Sequence, residues 1–290
     1  MSDSSDQFIN VNGKITKMGE GTIPAVSSGL YYGAGCFETL RYDDFGFFRF
    51  SEHINRLNRG LSYLGVSESE LLDKNDLLEQ VRHLIKRNQF ENEPLRIRIQ
   101  ISLEETKGYH RDENPDSFQV ITCQKITLQN SNAATLKTSK TRVIPDVCRP
   151  SDLKLSNMLH YRQAFREAAD AGADDALMLT TGGFMAECSV ANLFWKKGDS
   201  IFTPSTDCDI LPGLMRKAVI ELLEEKFRMN LVEGRFKPKQ LLKADAIWLT
   251  NSIKEVQAVE KIDGTVCKQE PEFLKQLSSE LEKLKQEENL

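Results

Sequence analysis

The segment Leu95-Arg-Ile-Arg-Ile-Gln-Ile-Ser102 puts Leu95, Ile97, Ile99 and Ile101 at one parity and Arg96, Arg98, Gln100 and Ser102 at the other. A period of two is that of a strand, and an apolar face backed by a cationic, polar one demands a sheet with a core on one side only. Folds made of helices alone are excluded. Cys36-Phe-Glu-Thr-Leu-Arg-Tyr42 alternates likewise, Asp43-Asp-Phe-Gly46 reads as a turn, and Phe47-Phe-Arg-Phe50 reads as the returning strand of a hairpin. Ser51 is then placed to N-cap a helix carrying Leu57, Leu61 and Leu64 on one side up to Gly65, and a second helix is expected from about 74 to 87.

At 290 residues the chain is long enough for two domains, each with a core of its own. Strand-like Phe118-Gln-Val-Ile-Thr-Cys123 gives way to a polar stretch with little apolar periodicity over 124–135. The expected division is therefore an N-terminal α/β domain over 1–123, a linker over 124–135 and a C-terminal domain over 136–290. In the second part, Leu155, Met158, Leu159, Phe165, Ala168 and Ala169 keep helical spacing as far as Gly172. Segments 176–180 and 185–195, joined through Gly182-Gly183, read as a β-meander. Pro212-Gly213 opens a helix with Val219, Leu222, Leu223 and Phe227 on one side, and 244–250 is a further strand. Strands and helices in mixed order in both parts argue for α+β domains rather than a doubly wound sheet.

Several function classes drop out. A net charge of -5, from 38 basic and 43 acidic residues, has the wrong sign for a general nucleic-acid binder. No stretch approaches the roughly 18–20 apolar residues of a spanning helix, and the first residues show no basic-then-apolar leader, so a cytoplasmic protein without a membrane partner is expected. Cys36, Cys123, Cys148, Cys188, Cys208 and Cys267 are scattered singly, which suits reduced thiols and offers neither a metal site nor a disulfide framework. Only the Ser/Asp-rich start and the charged tail over 272–290 are biased, and there is no repeat. The glycine-rich dinucleotide and P-loop signatures, the nucleophile elbow and the zinc-protease helix motif are absent.

What chemistry remains is distributed. Lys154 is flanked by leucines immediately before or within the first turn of a helix; burial disfavours an ammonium and would make the amine a nucleophile, against the plain alternative of a snorkelling surface lysine. Glu187 stands in a small, apolar run where a carboxylate needs a partner, and Asn192 follows it as a possible turn anchor. Leu211-Pro-Gly-Leu-Met-Arg216 offers a helix N-terminus able to seat a phosphate. Thr250-Asn-Ser252 is a cluster of small donors.

Taken in order, Tyr32-Gly-Ala-Gly-Cys-Phe-Glu-Thr-Leu-Arg41, His53-x-x-Arg-Leu57, Leu153-Lys-Leu-Ser-Asn157, Ala173-Asp-Asp-Ala-Leu177, Glu187-x4-Asn-Leu-Phe194, Thr203-Pro204, Leu211-Pro-Gly213 and Ala244-Asp-Ala-Ile-Trp-Leu-Thr250 resemble the class IV (fold type IV) pyridoxal-phosphate-dependent aminotransferase family. That family holds branched-chain aminotransferases, D-amino-acid aminotransferases and aminodeoxychorismate lyases, and the likeness runs from about Leu30 to Asp263. The resemblance implies a smaller N-terminal α/β domain, a larger C-terminal domain with a mixed, barrel-like sheet, and a homodimer. It implies that Lys154 carries pyridoxal 5′-phosphate as a Schiff base and, once freed, moves a proton. Glu187 then pairs with the pyridine nitrogen and keeps it protonated so that the ring is an electron sink. Arg56, the amides of Leu214 and Met215, and Ser252 form the phosphate cup, with Asn192 also on the cofactor side. Leu214-Met215 stands where the family often has Ile-Thr, so one hydroxyl contact is lost.

On the substrate side the resemblance points to Tyr32, Phe37, Arg98, Lys107 and Ile253, with Arg98 gripping a carboxylate and Lys107 and His110 in a loop. The spacing from Lys154 to Asn157 is similar to the D-amino-acid aminotransferase and lyase branch rather than the branched-chain one. The run from Glu187 to Gly198 favours the lyase, whereas Phe37-Glu-Thr39 and the Leu103-Glu104 that replaces a common Arg-Gly favour the transferases. Transamination between a small amino acid and a 2-oxo acid is the expected activity, with pyruvate elimination from 4-amino-4-deoxychorismate as the alternative.

Overall fold

A computed structural model describes residues 7–110, 114–127 and 132–288. The first residues of the Ser/Asp-rich start, positions 128–131 of the expected linker and the end of the charged tail lie outside the described residues. The described chain divides into two compact units. One takes the residues up to Thr127 together with Leu153–Asn157 and Glu288; the other takes those up to Asp152 and then Met158–Glu287.

The first unit is built on a sheet of six strands. These are β1 (Phe8–Val11), β2 (Lys14–Lys17), β3 (Gly35–Asp43), β4 (Gly46–Phe47), β5 (Leu95–Leu103) and β6 (Ser117–Lys125), in the order β2-β1-β6-β5-β3-β4. The alternation in β5 is obeyed: Leu95, Ile97, Ile99 and Ile101 are buried, while Arg96 and Arg98 are exposed. Helices α2 (Phe50–Tyr63) and α3 (Lys74–Arg87) share the buried core with that apolar face through Ile54, Leu57, Leu61, Leu77, Val81 and Leu84. A five-residue helix, α1 (Ser28–Tyr32), precedes β3. Two expectations need correction. The hairpin's return is only two residues long, because Phe50 already begins α2, and the N-cap is Arg49 in left-handed conformation rather than Ser51.

The second unit holds a nine-stranded mixed sheet. Its strands are β7 (Ala134–Arg142), β8 (Asp175–Leu179), β9 (Met185–Cys188), β10 (Asn192–Lys197), β11 (Ser200–Pro204), β12 (Asn230–Gly234), β13 (Ala246–Asn251), β14 (Glu255–Ile262) and β15 (Thr265–Val266). The order β12-β11-β10-β13-β14-β7-β8-β9, with β15 beside β14, mixes parallel pairs such as β7–β8 and β11–β12 with antiparallel ones. The expected antiparallel pairing across Gly182-Gly183 forms as β8–β9, but the segment 185–195 is broken after Cys188, and β10 pairs with β11 and β13 and not with β9. Three helices complete the unit: α4 (Leu159–Asp170), α5 (Leu214–Glu225) and α6 (Pro271–Glu287). Inward-facing Leu193, Trp195, Ile247 and Leu249 fill one side of the sheet. Helix α4 starts five residues after Lys154, later than the apolar spacing implied. It buries Tyr161, Ala164 and Ala168, leaving Leu159 and Phe165 exposed. No helix among the described residues is long and apolar enough to cross a membrane.

Candidate active site

Lys154 owes its orientation to its neighbours. Leu153 and Leu155 are buried in the core of the first unit, and the segment lies against β3: Leu155 bridges Cys36, the Phe37 amide donates to the Lys154 carbonyl at 3.0 Å, and the Ser156 amide donates to Gly35 O at 2.8 Å. In extended backbone, alternate side chains point oppositely, so anchoring the two leucines throws Lys154 onto the other face. There its Nζ lies 4.9 Å from the centre of the Phe37 ring, and the Arg98 guanidinium lies over the same ring at 3.8 Å. Gln100, opposite Phe37 in the ladder, donates to Ser156 Oγ at 2.7 Å and ties the lysine segment to β5. Three residues expected from sequence, Phe37, Arg98 and Lys154, thus form one cluster, joined by Gln100 and Ser156, which sequence reasoning passed over.

Arg56 sits on the opposite face. From α2 it meets Glu38 with both arms of its fork, Nε to Oε1 at 2.6 Å and Nη2 to Oε2 at 3.0 Å, and His53 Nδ1 donates to Oε2 at 2.7 Å. Glu38 is fully buried. Burial alone would raise its carboxyl, but the charges of Arg56 and His53 and their hydrogen bonds outweigh it and hold the group well below the ordinary carboxylate range. The signal was legible: an acidic residue at a core parity of β3 and two basic residues three apart on the facing helix. Tyr32, at the end of α1, stacks on Tyr109 with centroids 5.1 Å apart, and Lys107 is exposed in the same turn as Tyr109 and His110.

The second unit holds the remaining residues, Glu187 among them. This carboxylate is 5% exposed and accepts from the Tyr161 hydroxyl, from Asn192 Nδ2 at 2.9 Å and from the Leu211 amide at 3.1 Å. Asn192 also donates to Leu211 O at 2.9 Å, which fixes the turn leading into α5. Gly213 is the N-cap of α5 and makes no side-chain cap, so the first amides of the helix, those of Leu214 and Met215, point out of its N-terminus. A Cβ at Gly213 would run into Asn192 Oδ1. Gly213→Ala is accordingly expected to destabilise the protein by about 1–3 kcal/mol through overpacking, measured as a lower denaturation midpoint.

Thr250, opposite Asn192 in the β10–β13 ladder, is buried, and its Oγ1 has no hydrogen-bond partner in the structure. Ser252 follows in a turn where Asn251 Oδ1 accepts from the amides of Ile253 and Lys254 at 2.9 and 2.8 Å, so the Ile253 N–H is engaged within the turn itself. Glu255, in left-handed conformation, closes that turn on the buried Lys285 at 2.6 Å. Tyr161 is the residue that sequence reasoning missed here. The need for a partner to Glu187 was evident, but of the expected stripe of α4 only Ala168 is buried within the helix, and Tyr161 and Ala164 were not part of it.

Comparison with solved structures shows the fold. A branched-chain aminotransferase from Thermoproteus uzoniensis superimposes with a TM-score of 0.87 at 21% identity, covering 97% of this chain and 95% of that one. The architecture is thus that of the two-domain fold type IV enzymes. Residues 35–262 match the family model for amino-transferase class IV, and the chain belongs to that family. Among curated relatives, the aminodeoxychorismate lyase of Bacillus subtilis is 30% identical over 88% of this chain and 87% of its own length. A putative branched-chain-amino-acid aminotransferase of Methanocaldococcus jannaschii is 28% identical over 96% of each chain.

Proposed function

We propose that this chain is a pyridoxal 5′-phosphate-dependent transaminase that moves the α-amino group of a small amino acid to a 2-oxo acid, with Lys154 as the attachment point. The observation that carries the reading is Glu187, buried and hydrogen-bonded by Tyr161, Asn192 and the Leu211 amide, in a chain of this family. The residues present fit the cofactor. An orphaned buried hydroxyl on Thr250 and a glycine-opened helix N-terminus suit a phosphate, and a buried carboxylate suits a protonated ring nitrogen. When bound, the cofactor supplies an electron sink for the bonds at the substrate Cα.

The chain's own residues do the rest. Lys154 attaches the group through its amine and, once displaced by substrate, carries a proton at the substrate Cα. Its backbone bonds to β3 keep the Lys154 Cα fixed while the side chain moves. Glu187 and Asn192 hold the ring side, and the amides of Leu214 and Met215 with Ser252 hold the phosphate. Arg56 is held by Glu38 through both arms of its fork, and its place in the phosphate cup rests on the family resemblance. Arg98, stacked on Phe37 beside Lys154, receives a substrate carboxylate, with Tyr32, Lys107 and Ile253 lining the approach. A cytoplasmic homodimer is part of the same reading.

A second reading, 4-amino-4-deoxychorismate lyase, is favoured by the 30% identity to the Bacillus subtilis enzyme. The test is a pair of assays on cofactor-loaded protein. Amino transfer that requires an added 2-oxo acid supports the transaminase. Pyruvate release from aminodeoxychorismate with no acceptor present assigns the lyase instead.

A further inference from the structure

The donors to Glu187 are not equivalent. The Leu211 amide belongs to the turn leading into α5 and Asn192, at the start of β10, bonds that same turn, whereas Tyr161 reaches the carboxylate from α4. Its ring is 8% exposed and packs with Ala164, Ala168, Met178 and Ala186. Oε1 accepts both the Tyr161 hydroxyl and the Leu211 amide, while Oε2 accepts from Asn192. Burial, and then the adjacent Glu187 charge, raise the Tyr161 phenol well above its ordinary value, so it keeps its proton and acts as a donor. A hydrogen bond given to an ionised carboxylate stabilises the charged form and lowers its appetite for a proton.

Other ionisable groups face this pair. Arg149 and Asp209 act on Tyr161, and Asp175 and Glu187 both act on the buried Cys188. The His160 ring packs on Tyr161 at 4.4 Å and is brought down to about 4 by burial and Arg149. It is therefore neutral near pH 7 and contributes no competing charge.

We propose that Tyr161 is a positioning residue that tunes the site: its hydroxyl, donated to Glu187, sets the basicity of the carboxylate that meets the ring nitrogen of pyridoxal 5′-phosphate, and so decides how the proton is shared between nitrogen and carboxylate. The inference rests on reading Glu187 as the partner of that nitrogen. Removing the donor makes Glu187 more basic and draws the shared proton away from the ring. A more acidic phenol does the reverse.

The experiment is nitrogen-15 magnetic resonance on whole protein loaded with cofactor labelled at the ring nitrogen. Tyr161→Phe is expected to move the resonance toward neutral pyridine, and 3-fluorotyrosine placed at position 161, a stronger donor, to move it toward pyridinium. Opposite shifts of this kind are not produced by a merely structural role. The proposal is overturned if the resonance is the same in both variants as in wild type, or moves the same way in both. Glu187→Ala provides the separate control. A resonance insensitive to that change removes the Glu187 reading itself, and the Tyr161 inference with it, whereas sensitivity to Glu187 alone removes only the role of Tyr161. The fluorinated form preserves ring volume, so the comparison holds even where Tyr161→Phe folds poorly.

Discussion

Lys154→Ala is expected to lower turnover by about 10³-fold or more, since the proposed reading gives one amine two roles, covalent anchor and proton carrier, and each alone typically contributes orders of magnitude. The loss should come with an unchanged fold. The side chain is half-buried, with its Nζ over the Phe37 ring, and it is the flanking Leu153 and Leu155 that fill the core. The informative comparison is therefore rate against thermal midpoint. A variant that retains near-normal turnover, or one that unfolds, contradicts the assignment of Lys154 as a chemical rather than structural residue.

The largest stability effect is expected at Glu38. It is fully buried and joins β3 to α2 through Arg56 and His53, so Glu38→Ala should cost about 3–5 kcal/mol, the scale seen when one partner of a buried ion pair is removed. Glu38→Gln, which keeps the shape and part of the hydrogen bonding, should cost less. The same group gives the protein an acid limit. Because the folded carboxyl is held below its unfolded value near 4.5, the unfolded chain takes up the proton first. The stabilisation is fully present above that unfolded value and is lost as pH falls through the lower, folded one. Urea unfolding at pH 7 and near pH 4 should show wild-type stability falling across that range and a shallower fall in Glu38→Ala. An equal slope in both proteins would assign the acid sensitivity elsewhere.

Much of this architecture was legible because it is written in local periods. The parity of β5 names its buried and exposed faces residue by residue, and α3 occupies the span expected for it. Boundaries set by a single backbone conformation were not. Arg49 enters the left-handed region without being Gly or Asn, so nothing in its chemistry marks the start of α2. Helix α4 shows a subtler failure. Ala168 of the expected stripe is buried, but Leu159 and Phe165 are exposed, and Tyr161 and Ala164 face the core in their place.

The site divides in the same way. Lys154 and Glu187 stood out as charges in apolar surroundings, and Gly213 as a helix opener. The pairing of residues 35–37 with 154–156 is a long-range contact that no local pattern encodes, so the return of Leu153–Asn157 to the first unit emerged only from the fold. Glu38 was visible as the acidic member of a strand but was weighed only as a marker of one branch. Its partners His53 and Arg56 stand three apart in the sequence, at helical spacing.

The central claim is that the amine of Lys154 holds pyridoxal 5′-phosphate, and reductive trapping reads it most directly. Protein loaded with the cofactor, reduced with borohydride and mapped by peptide mass spectrometry should carry a single phosphopyridoxyl group on the peptide containing Lys154, and Lys154→Ala should carry none. A group mapped to another lysine, or a wild-type protein that takes up no cofactor, would contradict the account.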